Sequence, residues 1–242
     1  MLNNNFSFQY YKQIFEIYNS SIRVCDYKKH DKGIIVRHDI DWDITKAYEF
    51  SILEKSIGIT STYYVMLTSE IYNIFSPSNV KMLNTMIDNG FEIGLHFDPM
   101  LYTNHSEDLS YYFNKEIALF ESFFGIKIKS YSMHQPSVHG EYLKTDLIDA
   151  YHTDIFHTDF YISDSCFNFR GKNPIEFLKK SDSRLVQFLT HPSQWSEDGN
   201  LSYNNFINFK INDYKNKLFN VYEYNYTFNE QKKDYILKFE NE

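Results

Sequence analysis

Between residues 33 and 191 the chain alternates short β-branched or aromatic runs with longer stretches whose apolar positions recur at helical spacing. Residues 33–38 (GIIVRH) predict a buried strand. Residues 44–57 follow with helical periodicity and run up to Gly58, an expected C-terminal cap. Residues 60–66 (TSTYYVM) predict the next strand. A helix over 77–89 has Ser76 placed to cap it, Pro77 in its first turn and Gly90 past its end. Residues 91–95 (FEIGL) predict a third strand, and 106–124 form the longest helical stretch, closed by Gly125. Further strands are expected at 129–133, 154–157, part of 160–163 and 184–190, with a helix between Pro174 and Lys180. From Tyr203 onward the polar and aromatic positions fit neither period.

Strands alternating with helices over this length predict parallel βαβ units. The fold class expected is α/β, and a closed or partly closed β/α barrel suits the length better than a small doubly wound sheet. In such barrels chemistry sits at the C-terminal ends of the strands.

No internal repeat, low-complexity block or Pro/Gly/Ser-rich linker interrupts the 242 residues, so one domain over 1–242 is expected. With 24 Lys and Arg against 32 Asp and Glu, the formal charge is −8, a poor match to a nucleic-acid backbone. The start, MLNNNFSFQYYKQ, lacks a basic stretch followed by an apolar run, and no segment approaches 18 uninterrupted apolar residues. A soluble, cytoplasmic protein with no membrane span is the expectation; the sequence does not fix its oligomeric state. Cys25 and Cys166 are far apart, which argues against a disulfide framework or a CxxC zinc ribbon.

The strand-end rule selects particular polar residues. The first strand leads into RHDIDWD, and alternation puts Arg37, Asp39 and Asp41 on one face with His38 and Ile40 on the other. Two carboxylates on one face are costly to bury without a cation or a shared proton. They suggest a metal ligand, a general base or both; alternatively Asp43 caps the next helix and the two carboxylates are solvated. The third strand ends in EIGLHFDPM, bringing His96 and Asp98 two apart. Imidazole and carboxylate are common ligands of zinc and similar ions. SYSMHQPS puts His134 at an equivalent strand end, and RLVQFLTHP puts His191 at another. Jointly these residues predict a mononuclear metal site with a separate acid or base. Asp164, in YISDS, could orient a catalytic group or form a turn. His30 and His105 lie in polar stretches and are expected to be solvated, and His157 is expected to be structural. The five-residue spacings of His134 to His139 and His152 to His157 do not place either pair on one helical face. The common phosphate-loop, dinucleotide, nucleophile-elbow and HExxH patterns are absent from the sequence.

VRHDID, EIGLHFD, SMHQPS, YISDS and FLTHPSQW, in this order, resemble the motifs of the polysaccharide deacetylase family (NodB-homology, carbohydrate esterase family four). They are most similar to a divergent branch whose first motif reads RHDxD, and the stretch over 44–65 fits that branch. The resemblance covers about residues 33–195. It implies a distorted, incomplete β/α barrel of the NodB-homology type, with an N-terminal helix and a C-terminal extension packed on the motif-bearing core.

The resemblance also implies one divalent cation, with Zn²⁺ expected, and removal of acetyl groups from sugars. Carried over by motif, Asp39 is the base, Asp41 a metal ligand, His96 a second ligand and His191 the general acid. Two positions depart from the family. Met100 stands where a second ligating His belongs, so the third ligand is expected to be His134, with Asp98 or water as alternatives. Gln135 stands where an arginine belongs, and Arg37 could supply that charge. Exposed Tyr and Phe, and Trp195, could stack on sugar faces. The expected function is N-deacylation of a nucleotide- or lipid-linked amino sugar in surface-polysaccharide assembly, its substrate a small molecule or carrier-linked. A degenerate barrel that binds a saccharide or a protein, and a metal hydrolase of a non-sugar amide, are the alternatives.

Overall fold

The computed structural model describes residues 6–18, 21–102, 108–136, 143 and 145–223. His105, His139 and the first two residues of the helix expected over 106–124 lie outside them. Two units are distinguished, Met1–Asn200 and Leu201–Glu242.

The first unit is built on seven parallel strands: β1 (Gly33–Ile40), β2 (Thr62–Val65), β3 (Glu92–Phe97), β4 (Ser130–Met133), β5 (Ile148–Asp149), β6 (Tyr161–Ser163) and β7 (Leu185–Thr190). Their order across the sheet is β5-β4-β3-β2-β1-β7-β6. Helix α1 (Phe8–Tyr18) precedes the sheet. The crossovers carry α2 (Ile44–Ser56), α3 (Pro77–Asp88) and α4 (Leu109–Phe124), and the short α5 (Pro174–Leu178) precedes β7. The chain winds outward from β1 to β5 and then returns to β1's other side through β7. Such reversals of strand order open a crevice at the carboxyl ends of the strands.

Every residue of β1 is buried, as expected for a parallel strand covered on both faces. Ile34 and Val36 pack outward against α1 and α2 through Tyr11, Ile14 and Phe50. Ile35 points inward, where it meets Val24, Tyr27, Tyr64, Ala150 and Ile155. Polarity rises along this inner face through Arg37 and Asp39 to Asp41 at the rim. The interior closes partway: Gln187 on β7 donates at 3.1 and 2.8 Å to the carbonyls of Ala150 and Ile155, just beyond β5. The result is an open, curled sheet forming a distorted, incomplete barrel.

Local chemistry sets the helix ends. Asp43 Oδ1 accepts from the Thr45 and Lys46 amides at 2.7 and 3.4 Å, so Asp43 does cap α2. Ser76 occupies the cap position of α3, but its side chain makes no capping bond. Gly125 ends α4 at φ 66°, a left-handed conformation suited to glycine. Gly94 has a different role: a Cβ there would lie 2.5 Å from the Tyr64 ring and 2.8 Å from the Ser130 carbonyl oxygen.

Four elements differ from expectation. Residues 154–157 are a turn, since the amides of Ile155 and Phe156 both donate to the His152 carbonyl. Ile155 is fully buried, which is why the segment reads as a strand. α5 stops at Leu178 and passes into a tighter turn over Lys179–Asp182. β5, only two residues long, carries too little pattern to be recognised. In the second unit the ambiguous tail is helical over Tyr203–Glu223, here α6.

Candidate metal centre

The strand ends converge on three side chains. Asp41 follows β1, His96 lies on β3 and His134 follows β4; one ligand-capable atom from each lies within 4.8 Å of the others. Among the described residues this is the one such group of three or more His, Cys, Asp or Glu. Asp41 Oδ1 lies 3.1 Å from His96 Nε2 and 3.8 Å from His134 Nδ1, and the two ring nitrogens are 3.1 Å apart. Ligand atoms about 2.0–2.2 Å from one zinc-sized ion in a tetrahedral shell stand at similar separations.

The donor chemistry fits a cation as well. His96 Nδ1 donates to the Ser132 carbonyl oxygen at 3.0 Å, which leaves the Nε2 lone pair facing Asp41 and His134. Ser132 is the partner of His96 in the β3–β4 register, so the sheet itself sets this orientation. Three acceptor atoms facing one another repel unless a proton or a cation lies among them. Without a cation, protons can take that place: burial would raise the Asp41 carboxyl, but the hydrogen bond to His96 and the charges of His191, His96 and His134 hold it far below its usual range. Burial likewise opposes charge on His96, and Asp39 and Asp41 override it to raise that imidazole. His134 is lowered by burial and by His96.

Asp39 is 3% exposed, and its two oxygens differ. Oδ2 accepts from Arg37 Nη2 at 2.8 Å and from Ser132 Oγ at 3.3 Å. Oδ1 is buried with no hydrogen-bond partner. Burial raises the Asp39 carboxyl, but Arg37, His96 and His191 outweigh it and bring it below its usual range. Arg37 is itself fully buried and is held by Tyr151 Oη at 2.8 Å, Ser132 Oγ at 3.1 Å and Gln187 Oε1 at 3.2 Å. The Tyr151 ring lies 4.4 Å from its guanidinium carbon. Burial opposes the Arg37 charge, and Asp39 outweighs it. Arg37 therefore occupies the place of positive charge beside Asp39.

His191 follows β7 on the other side of β1, and His38 pairs with Thr190 in the register, so Asp39 and His191 emerge at the same height. His191 Nε2 lies 3.9 Å from Asp41 Oδ2. Its Nδ1 is 2.6 Å from Asp164 Oδ1, and its backbone amide also donates to that carboxylate, at 2.9 Å to Oδ2. Trp195 Nε1 donates to Asp164 Oδ2 at 2.6 Å. Burial would lower the His191 imidazole, but Asp164, Asp41 and Asp39 push it up to about 9. Asp164 thus orients His191 rather than only shaping a turn.

Other residues are placed differently. Asp98 Oδ1 accepts the Met100 amide at 3.0 Å and stabilises a turn; it is outside the ligand cluster. Met100 is 55% exposed. Trp195 is fully buried, so it holds Asp164 and cannot stack on a sugar; the exposed tryptophan is Trp42. His157 is exposed and accepts the Asp159 amide through Nδ1, so it is no core histidine. His30 is exposed, as expected. Glu92 lies at the start of β3 and accepts from the Cys25 amide, Thr62 Oγ1 and Ser130 Oγ, at the strand end opposite the site. Burial and then Glu92 push the Cys25 thiol up to about 12, so Cys25 is a poor nucleophile.

Ser132 was missed in sequence, although it lies two residues before His134 and alternation gives it the same face. Glu54 was missed as well. On the outer face of β1 it accepts from Tyr11 Oη, Ser61 Oγ and Tyr63 Oη at 2.5, 2.5 and 2.8 Å, and it lies 3.0 Å from His38 Nε2. His38 Nδ1 meets Thr190 Oγ1 at 2.6 Å. This buried network ties α1, α2, β1, β2 and β7 together directly behind Asp39 and His191.

No protein-family model matches the sequence, and no curated protein does. Among solved structures, the chitin deacetylase of the fungal pathogen Colletotrichum lindemuthianum aligns over 74% of this chain and 81% of that chain, with 14% identity and a TM-score of 0.44. A CE4-family pseudoenzyme from Bacillus anthracis aligns over 78% of this chain and 62% of its own, less than two thirds of its length, with 13% identity and a TM-score of 0.48. A mutant of the peptidoglycan deacetylase PdaC from Bacillus subtilis aligns over 76% and 85%, with 11% identity and a TM-score of 0.44. At these identities the likeness is one of fold alone.

Proposed function

We propose that this protein is a metal-dependent hydrolase that removes an N-acetyl or other N-acyl group from an amino sugar. The observation that carries the reading is the pairing of a His/His/Asp ligand set with two flanking groups in opposite protonation states. Asp41, His96 and His134 would hold one divalent cation, with Zn²⁺ the ion best matched to this donor set. Such a cation supplies Lewis acidity toward an amide carbonyl and toward water.

The chain's own groups supply the rest. Asp39 is ionised, its Oδ2 is fixed by Arg37 and Ser132 and lies 4.0 Å from His96 Nε2, and its carboxylate would take a proton from the attacking water. Addition of that water to the carbonyl carbon gives a tetrahedral centre. His191, kept protonated by Asp164, then gives the Nε2 proton to the leaving amine, and the C–N bond breaks to carboxylic acid and free amine. Fold alone does not fix function, and the sugar rests on the ordered motifs described above. An amino sugar processed in the cytoplasm during surface-polysaccharide assembly, free or carrier-linked, is the setting proposed.

The test is release of acetate from N-acetylated sugars by protein reconstituted with zinc. Activity is expected in the wild type, lost on chelation, and reduced about 10²–10⁴-fold in Asp39→Asn with metal content retained. Metal-loaded protein that releases acid faster from non-sugar amides would move the assignment to that class, and a metal-loaded protein inert on all of them would leave a saccharide-binding barrel.

A further inference from the structure

The sheet order leaves β5 and β6 at opposite edges, and among the described residues no strand pairing joins them. Side chains cross that seam instead. Phe156 stands between Tyr151 and Tyr161 of β6, edge-on to both rings at centroid distances of 4.8 and 4.7 Å. Gln187 of β7 is fully buried, and its side-chain amide faces the carbonyls of Ala150 and Ile155. Two carbonyls at one end of an amide identify that end as the NH₂ group, so the other end is the oxygen. That oxygen accepts from Arg37 Nη1 at 3.2 Å.

Arg37 begins on β1, well inside the sheet, and its guanidinium reaches both sides of the seam. Nη2 donates to Tyr151 Oη and to Asp39 Oδ2, each at 2.8 Å. A guanidinium is planar and rigid, so fixing Nη1 at Gln187 and Nη2 at Tyr151 also fixes the N–H that points at Asp39. A buried ion pair gives a fold little that apolar packing would not. A phenyl ring would fill the place of the Tyr151 ring equally well, and what the hydroxyl adds is the bond to Nη2. Tyr151 lies outside all five ordered motifs, and Gln187 comes immediately before the last of them. Neither belongs to the ligand cluster.

We propose that Tyr151 and Gln187 are positioning residues for Asp39, acting through Arg37. They lock the guanidinium across the seam of the barrel, and the guanidinium holds the carboxylate in place beside the metal centre. Closure of the barrel and placement of the base are then one event. The inference deepens the hydrolase reading and rests on it for turnover, but not for the order of Arg37.

The test uses the zinc-reconstituted protein. Tyr151→Phe keeps the ring and deletes one hydroxyl. Gln187→Met keeps an unbranched chain but also strips the Ala150 and Ile155 carbonyls of a donor, so Tyr151→Phe is the deciding variant. In Tyr151→Phe, kcat for acid release is expected to fall about tenfold, with zinc content retained and KM within about twofold of wild type. Lysine keeps a charge at position 37 but has no fork to share between Tyr151, Gln187 and Asp39. Tyr151→Phe added to Arg37→Lys is therefore expected to cost less than a further twofold or so, whereas a merely structural tyrosine would give losses that add. A second readout needs no turnover. The chain has four arginines, Arg23, Arg37, Arg170 and Arg184, so their ¹⁵N side-chain signals are few enough to assign with Arg37→Lys. The Arg37 signals are expected to shift and broaden in Tyr151→Phe. Wild-type kcat in Tyr151→Phe, additive losses in the double variant, or Arg37 signals that coincide with wild type would each overturn the proposal. Loosened Arg37 signals in a protein that hydrolyses no amide would uphold the positioning of Asp39 and remove the hydrolase reading, so the two fail separately.

Discussion

The chemistry of the centre is decided by single atoms. Asp39 and Asp41 are two residues apart on one strand end, yet one holds its carboxylate against a guanidinium and the other faces two imidazoles. The same division separates His96, oriented by a backbone carbonyl, from His191, oriented by a carboxylate. A carboxylate partner stabilises the imidazolium, whereas a carbonyl partner leaves the far nitrogen a better ligand. The His191 proton therefore depends on Asp164. In the proposed role of general acid His191 works only while protonated, so kcat/KM is expected to fall as pH rises through its pKa, which Asp164 helps push up to about 9. A cation beside Asp41 cancels part of that carboxylate's pull, so the basic limb of the metal-loaded protein lies at or below 9. In Asp164→Asn the limb is expected to move down by about one pH unit or more, with little loss of metal; a pH–rate profile checks this. An unmoved limb would mean that another group sets it.

Elements carry these atoms, and their legibility varied with the strength of the pattern. β1, β3, β4 and β7 were readable because β-branched or aromatic runs end in polar residues, and alternation assigned Arg37, Asp39 and Asp41 to one face. The exposed Met100 and the turn at Asp98 were not decidable from spacing, since His134 reaches the site only through the β3–β4 register. The turn over 154–157 imitated a strand because Ile155 is buried in the core. Glu54 was overlooked because a charged residue seldom belongs to a buried helical face, although it continues the series Ala47, Phe50 and Ser51. Its four partners make it costly to remove. Glu54→Leu strands those donors in the core and is expected to destabilise the fold by about 3–5 kcal/mol in denaturant unfolding.

On α4, Glu116 presents a second buried carboxyl. Its Oε1 accepts from Tyr102 Oη at 2.6 Å, while Oε2 has no partner. Burial, opposed by Tyr102 and reinforced by Asp98, pushes it up to about 7. The folded state thus holds this proton more tightly than the unfolded chain. Stability from it is full below the unfolded carboxyl pKa, near 4.5, and is lost as pH rises toward 7. Glu116→Gln is expected to flatten that dependence and to gain on the order of 1–3 kcal/mol at about pH 8. Parallel pH–stability curves for variant and wild type would show otherwise.

At the scale of the whole molecule, an open parallel sheet reverses its strand order at β1 and gathers ligands from β1, β3 and β4 at one rim. β7 brings His191, the proposed acid, from the opposite side. No helix among the described residues is long and apolar enough to cross a membrane. The central claim is that Asp41, His96 and His134 form one cation site, and metal content measures it most directly. Wild type, His96→Ala and His134→Ala would be purified, reconstituted with zinc, dialysed and assayed by elemental analysis. About one zinc per chain in the wild type, lost in both variants, is the predicted result. Wild-type protein without metal after reconstitution, or full retention in His134→Ala, would contradict it.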